Sequence, residues 1–270
     1  MGLYAVLGHP VGHSKSPQIH GYFARQTGQD MDYVTVQPPL DGFTAEAEDF
    51  FARGGLGFNV TVPFKEEAFN WVTRLSERAS LAGAVNTVYL NSQGETCGDN
   101  TDGIGLVRDL THNHQVDLKN RRLLVLGAGG AVRGTLKPLL DCHPAEIVIA
   151  NRTLARAEAL ASLFSPWGTI RSCAFGELSD TFDIVINGTS AGLAGSVPAV
   201  PERVIGSHTV AYDMIYSDKM TAFNRWAKQH GCHQQIDGLG MLVEQAAEAF
   251  EIWRGVKPDG QVVVSYLRQL

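Results

Sequence analysis

A two-domain α/β protein, one domain of it built on a doubly wound parallel sheet, is the fold class that three observations predict. Short apolar runs of β-type composition alternate with helical runs along the chain, the pattern that strand–helix–strand crossovers produce. The strand Leu123-Leu124-Val125-Leu126 runs directly into Gly127-Ala128-Gly129-Gly130-Ala131 and then into a helical run. This unit sits near the middle of 270 residues rather than at the start, so a separate α/β unit precedes it.

In the first hundred residues, runs 3–7, 32–36, 57–62 and 84–90 have strand composition, and 17–26, 44–53 and 65–82 read as helices. The last of these helices places Phe69, Val72, Leu75 and Ala79 at spacings of three and four, a core stripe. A further helix is expected over 102–112, and after it the runs 123–126, 146–150, 170–174, 183–187 and 210–214 are expected as parallel strands. Pro138 falls inside the helix after the glycine turn and should bend it or loosen its first turns. Run 241–253 reads as an amphipathic helix with Leu242, Ala246, Ala249, Phe250 and Trp253 on one side, and 260–270 as a last helix. With the glycine-turn unit bracketed at 103–237, these helices return to complete the first domain, 1–102.

Composition narrows the function classes. A net charge of −6 with no basic cluster argues against a nucleic-acid partner. Cys97, Cys142, Cys173 and Cys232 are scattered, with neither a C-x-x-C pair nor histidines at zinc spacing, so free thiols in a reducing cytoplasm are expected and no metal site. His112 and His114 lie in a polar run that reads as a solvated loop. No stretch approaches the roughly 18 apolar residues of a membrane span, and the first eight residues lack a basic leader. Oligomeric state is open between monomer and homodimer, since no exposed apolar heptad stands out.

The glycine turn carries the clearest chemistry. Glycines at 127, 129 and 130 remove side chains that would hold a pyrophosphate off the backbone, and the helix opening at Ala131 offers unpaired N–H groups and the positive end of its dipole. An NAD site places an acid about 20 residues beyond the turn to accept the ribose 2′-hydroxyl. Here the second strand instead delivers Asn151-Arg152-Thr153, and an arginine there favours a 2′-phosphate, hence NADP. Arg156, one helical turn on, could join Arg152 in clamping that phosphate. The match to G-x-G-x-x-G is imperfect, because its sixth position is Val132.

A ketone reductase needs a proton donor beside the carbonyl, since hydride transfer belongs to the nicotinamide. Asn59-Val60-Thr61-Val62-Pro63-Phe64-Lys65 puts Thr61 and Lys65 between a strand and a helix, and Asp102 opens the helix that follows Gly98-Asp99-Asn100-Thr101. Taken alone, Asp102 serves equally as an N-cap and Lys65 as a surface lysine.

Gly8-His9-Pro10-Val11-Gly12-His13-Ser14-Lys15-Ser16-Pro17, NVTVPFK at 59–65, GAVNT at 83–87, GDNTDG at 98–103, GAGGA at 127–131, NRT at 151–153, NGTSAG at 187–192, DMIY at 213–216 and DGLGMLVEQA at 237–246 together resemble shikimate dehydrogenase, in the family's order and across nearly the whole chain. The resemblance implies NADP-dependent reduction of 3-dehydroshikimate to shikimate in the chorismate route, by a substrate domain and a Rossmann NADP domain with the active site in the cleft between them. It makes Lys65 and Asp102 the catalytic pair: Lys65 gives a proton to the carbonyl oxygen during reduction and takes it back on oxidation, oriented by the carboxylate.

Ser14 and Ser16 would bind the substrate carboxylate with help from Tyr216, and Thr61, Asn86, Asp102 and Gln245 the ring hydroxyls. On the cofactor side it assigns Gly127, Ala128, Gly129, Gly130 and Ala131 to the pyrophosphate, Asn151, Arg152 and Thr153 to the ribose and its phosphate, and Met214 and Gly238 to the neighbourhood of the nicotinamide. Gly188 departs from the alanine of many relatives, and Lys15 should point to solvent.

Two alternatives stand beside this reading. One is a quinate/shikimate dehydrogenase with relaxed cofactor use, against which Asn151-Arg152-Thr153 without an acid speaks; the other is a non-catalytic NADP-binding regulator, against which the presence of both Lys65 and Asp102 speaks. A folate-type dehydrogenase also joins a lysine-bearing domain to a dinucleotide unit, but the serine pair fits it poorly.

Overall fold

The computed structural model describes residues 2–269, which form two compact units: 2–105 with 242–269, and Leu106–Met241. The divisions fall a few residues beyond 102 and 237 because each lies inside a helix that continues across it.

In chain order the first unit contains β1 (Gly2–Leu7), α1 (Ser16–Thr27), β2 (Met31–Val36), α2 (Phe43–Ala52), β3 (Gly55–Val60), α3 (Lys65–Trp71), β4 (Arg74–Leu75), α4 (Glu77–Ala82), β5 (Thr87–Leu90), β6 (Thr96–Asp99) and the start of α5 (Asp102–Arg108). Its sheet runs β2-β1-β3-β5-β6-β4, with β5 antiparallel to both neighbours and the other pairs parallel. One face packs Phe43, Phe50, Phe58 and Phe64, all at most 1% exposed, against Ala68, Val85 and Val88.

The helix expected over 65–82 is two helices with a short strand between them. The apolar period continues through the break, but Thr73 donates its N–H to Thr96 O at 3.0 Å, and the Ser76 hydroxyl caps the next helix by accepting from Ala79 N at 3.1 Å. Strand pairing and capping outweigh the periodicity, and Leu75, expected in the core stripe, is 36% exposed. The polar strand β6 was not expected. Lys15 stands at the N-cap of α1 and is half-buried, with no capping hydrogen bond from its side chain.

The second unit opens with the rest of α5 and a π-helical turn, Asp109–Asn113. Thr111 to Asn113 are therefore helical rather than a loop, though His112 is exposed. The widened turn buries Asp109, which accepts from Tyr212 Oη at 2.7 Å and Asn113 Nδ2 at 2.9 Å. Then follow β7 (Arg122–Leu126), α6 (Gly130–Asp141), β8 (Glu146–Ala150), α7 (Leu154–Phe164), β9 (Ile170–Cys173), β10 (Ile184–Asn187), β11 (Val210–Asp213), α8 (Ala222–Gln229) and β12 (Gln234–Asp237). All six strands are parallel in the order β12-β11-β10-β7-β8-β9. The strands that leave β7 to either side make its carboxyl end the topological switch point, where open α/β sheets bind ligands. Strand β12 is a sixth strand beyond the five expected, and α6 continues through Pro138 without a break.

The chain closes with α9 (Leu239–Arg254) and α10 (Gly260–Leu267). The final residue of the expected last helix, 270, lies outside the described residues. From α9, Trp253 Nε1 donates to Val88 O at 3.2 Å and the Arg254 guanidinium to Gln29 Oε1 at 2.6 and 2.8 Å, which ties the C-terminal helices to the first unit. Among the described residues no helix is long and apolar enough to cross a membrane.

Candidate active site

In the first unit the polar candidates gather where β1, β3 and β6 end and β5 begins. Gly8, after β1, lets two loops meet, since a Cβ there would lie 2.3 Å from Thr61 Cγ2. Across that contact His9 N donates to Val62 O at 3.0 Å and Thr61 N to Leu7 O at 2.9 Å, which seats the turn carrying Thr61 and Lys65 beside the turn carrying Ser14 and Ser16. Ser16, 7% exposed, opens α1 and donates its N–H to Ser14 Oγ at 3.2 Å.

Lys65 Nζ donates to Asp102 Oδ2 at 2.7 Å, with the two side chains 30% and 15% exposed. The other carboxylate oxygen, Oδ1, accepts from Asn86 Nδ2 at 2.8 Å. Asn86, 2% exposed, also faces Gln245 Oε1 at 3.2 Å and Thr101 Oγ1 at 3.0 Å. Lys65, Asn86, Asp102 and Gln245 thus form one hydrogen-bonded cluster, drawn from α3, the turn before β5, α5 and α9.

The arrangement has a chemical sense. An ammonium held at one oxygen of a carboxylate, whose other oxygen is fixed by an amide, is a proton donor of set direction. Asp102 is in addition not a mere cap, because its carboxylate is spent on Lys65 and Asn86. Thr101, whose N–H is accepted by Asn86 Oδ1 at 3.0 Å, joins the cluster without having been expected there. A neutral threonine beside two acids gives no signal in sequence.

In the second unit a cavity of about 580 Å³ opens at the carboxyl end of β7. It is lined by Gly127 to Ala131, by Asn151, Arg152 and Arg156, and on the far side by Phe175, Thr189 and Pro198. Gly127 has φ 106°, a left-handed backbone that glycine adopts without strain, and a Cβ there would touch the Gly188 backbone at 3.2 Å. A Cβ at Gly129 or Gly130 would meet nothing within 4 Å, so the bare backbone there leaves an open cradle at the start of α6, and two exposed guanidiniums line the same cavity. Those features fit a phosphorylated dinucleotide: backbone N–H groups and a helix N-terminus for the pyrophosphate, arginines for a further phosphate.

Thr153, Met214 and Gly238 do not line this cavity. Thr153 stands at the N-cap of α7, where its carbonyl accepts from Asn151 Nδ2 at 2.9 Å. Gly238 packs on the Met214 backbone so tightly that a Cβ would lie 2.1 Å from Met214 O. Tyr216 belongs to this second unit and is 37% exposed. Phe175, Thr189 and Pro198 were not expected, since they lie in connections whose composition carries no nucleotide signal. Among the described residues no group of histidine, cysteine and acidic side chains could hold a metal ion.

Residues 6–88 match the family described as the shikimate dehydrogenase substrate binding domain, residues 109–194 that of shikimate / quinate 5-dehydrogenase, and residues 238–264 the shikimate 5′-dehydrogenase C-terminal domain. The chain is 56% identical over 269 residues to the shikimate dehydrogenase (NADP(+)) of Hahella chejuensis, covering 100% of this chain and 99% of that one. Among solved structures it is similar to an Ael1 enzyme from Pseudomonas putida, with 45% identity, a TM-score of 0.96 and coverage of 99% of this chain and 98% of the other. It is similar also to shikimate 5-dehydrogenase from Thermus thermophilus in complex with NADP(H) and shikimate, at 34% identity and a TM-score of 0.88, covering 100% and 99% of the two chains. With relatives this similar along its whole length, and three family matches in order, the chain belongs to the shikimate dehydrogenase family.

Proposed function

We propose that the protein catalyses the reversible NADPH-dependent reduction of 3-dehydroshikimate to shikimate, a step on the chorismate route to aromatic amino acids. The observation that carries this reading is the Lys65–Asp102 contact of 2.7 Å inside the Asn86–Gln245 cluster. The bound nicotinamide supplies and recovers the hydride. Lys65 Nζ gives its proton to the ketone oxygen during reduction and withdraws it from the hydroxyl during oxidation. Asp102 Oδ2 holds the ammonium in line, and Asn86 Nδ2 keeps the carboxylate from rotating.

Ser14 and Ser16 hold the substrate carboxylate as neutral donors, which places no second cation beside Lys65, and Tyr216 adds to that clamp. Thr61, Asn86, Asp102 and Gln245 match the ring hydroxyls, with donors and acceptors both available. In the second unit Gly127 to Ala131 hold the pyrophosphate, Asn151, Arg152, Thr153 and Arg156 the phosphorylated ribose, and Met214 and Gly238 the nicotinamide end.

Initial rates for shikimate and for quinate, each with NADP and with NAD, test the reading. Shikimate with NADP should be the fastest combination, and Lys65→Met should lower kcat by about 10²- to 10⁴-fold, the usual share of a proton-transfer group. Faster turnover of quinate, or of NAD, would replace this substrate and cofactor; retained turnover in Lys65→Met would remove its assignment.

A further inference from the structure

Behind the Lys65–Asp102 pair lies a second layer of polar side chains, all in the first unit, whose hydrogen bonds have forced directions. Asn59, 6% exposed at the end of β3, accepts at Oδ1 from Tyr33 Oη at 2.7 Å and from His20 Nε2 at 3.2 Å. His20 is fully buried and stacked on Tyr33 with ring centroids 4.2 Å apart. Burial lowers it to about 3 against the opposing Asn59 hydrogen bond, so the ring is neutral, and because its Nε2 faces the Asn59 amide oxygen the proton is assigned to Nε2. Burial also pushes the Tyr33 phenol up, so Tyr33 too acts as a donor.

With both donors on its oxygen, the Asn59 amide turns its Nδ2 the other way, to Asn86 O at 3.1 Å and Thr87 Oγ1 at 3.2 Å. A flipped amide would set its oxygen against the Asn86 carbonyl, two acceptors face to face. Because the lone pairs of Thr87 Oγ1 take the Asn59 proton, its own O–H points onward and donates to Asn86 Oδ1 at 2.8 Å. Thr87 is fully buried, so water does not compete for that hydroxyl. Asn86, held at Oδ1 by Thr87 and by the Thr101 N–H, presents Nδ2 to Asp102 Oδ1. Lys65, from α3, is the charged group facing the carboxylate, while Asn86 and Gln245 around it are neutral.

We propose that Thr87 is a positioning residue for proton transfer: its buried hydroxyl passes the donor direction set by Tyr33, His20 and Asn59 to the Asn86 amide, which fixes the carboxylate that aims Lys65. Thr87 can act in this way only if Lys65 and Asp102 carry the proton, so its role rests on the function proposed above. Thr87 acts through Asn86, whose side chain accepts its hydroxyl proton and passes the contact on to Asp102.

Thr87→Val removes the hydroxyl and keeps the shape, and Thr87→Ser keeps the hydroxyl and removes a methyl. In both reaction directions Thr87→Val should lower kcat by about 3- to 10-fold, the effect of one net hydrogen bond. Its KM for NADP should be unchanged and its KM for shikimate should move less than kcat, while Thr87→Ser should restore kcat to within about 2-fold. If Thr87→Val does not fold, Thr87→Ala supplies the same comparison. A folded hydroxyl-free variant with the parent kcat overturns the proposal, and so does an equal loss in Thr87→Ser, which would assign the effect to packing. Lys65→Met is measured alongside. If it keeps turnover, the proton-transfer reading itself falls. If it is inactive and Thr87→Val is not impaired, only the role of Thr87 falls.

Discussion

Gly188→Ala is expected to destabilise the second unit, and Val132 is the reason. The glycine follows β10 and borders the glycine-turn cavity, where a Cβ would lie 2.5 Å from Val132 Cγ2 and 3.1 Å from Met214 Sδ. Methionine can give way. Val132 cannot easily, being fully buried on α6 with a β-branched side chain that has one preferred rotamer in a helix.

The methyl must displace either α6 or the turn after β10, an overpacking cost of about 1–3 kcal/mol. At about 2–4 °C per kcal/mol for a unit of this size, thermal unfolding should drop by roughly 2–12 °C. Val132→Ala frees that space at a cost of about 1.6 kcal/mol for two lost methyl groups. The double variant should be more stable than the two single losses predict, by at least about 1 kcal/mol of coupling. Urea unfolding followed by circular dichroism measures all four proteins. Additivity within about 0.5 kcal/mol would refute the steric account. Val132, the irregular sixth position of the glycine motif, thus takes the space that a side chain at 188 would need.

Arg78 holds α4, β6 and α9 together through Asp99 at 2.6 and 3.1 Å and Glu248 at 2.8 Å, with side chains 27%, 9% and 13% exposed. Arg78→Met leaves two nearly buried acids without their cation and should cost about 3–5 kcal/mol in urea unfolding at pH 7. Burial raises the Asp99 carboxyl, but the Arg78 contacts, with Ser76, outweigh it and hold the carboxyl below its usual range. This stabilisation is therefore present above the ordinary aspartate value of about 3.9 and is lost as pH falls through the lower folded value, so the gap between variant and parent should narrow in acid. A gap below about 1 kcal/mol at pH 7, or one that does not narrow, would count against the pairing. Arg152→Asp should lower kcat/KM for NADP relative to NAD by roughly 10- to 150-fold, the loss of a charge-assisted bond. An unchanged ratio would show that the ribose phosphate binds elsewhere.

The parallel strands of the second unit were legible because a strand buried on both faces is a continuous apolar run, as in Leu123-Leu124-Val125-Leu126, each fully buried. Strands β6 and β12, Thr96-Cys97-Gly98-Asp99 and Gln234-Gln235-Ile236-Asp237, lack such runs and form because neighbours offer them an edge. The break in 65–82 was hidden because an apolar period of 3.6 does not register a serine cap or a pairing partner 23 residues away. Asn59, Thr87 and Thr101 have no local signature, since a buried amide or hydroxyl differs from an exposed one only in its surroundings. Lys65 and Asp102 meet across 37 residues, and only the succession of motifs along the chain brought them together on paper.

The first unit is assembled from two stretches of chain, 2–105 and 242–269, and the second is one uninterrupted stretch between them. During synthesis the second unit is whole before the first has received α9, which brings Gln245 to Asn86 and Glu248 to Arg78. We therefore expect the nucleotide cradle to exist on the ribosome while the proton-transfer cluster is still open. Limited proteolysis of nascent chains tethered so that 106–241 has emerged and the residues beyond 241 are still in the exit tunnel should cut within 2–105 and spare 106–241; equal protection of both would contradict this order. Residues 2–105 are thus completed only after 106–241, and their fidelity depends on helices that are made later than the second unit.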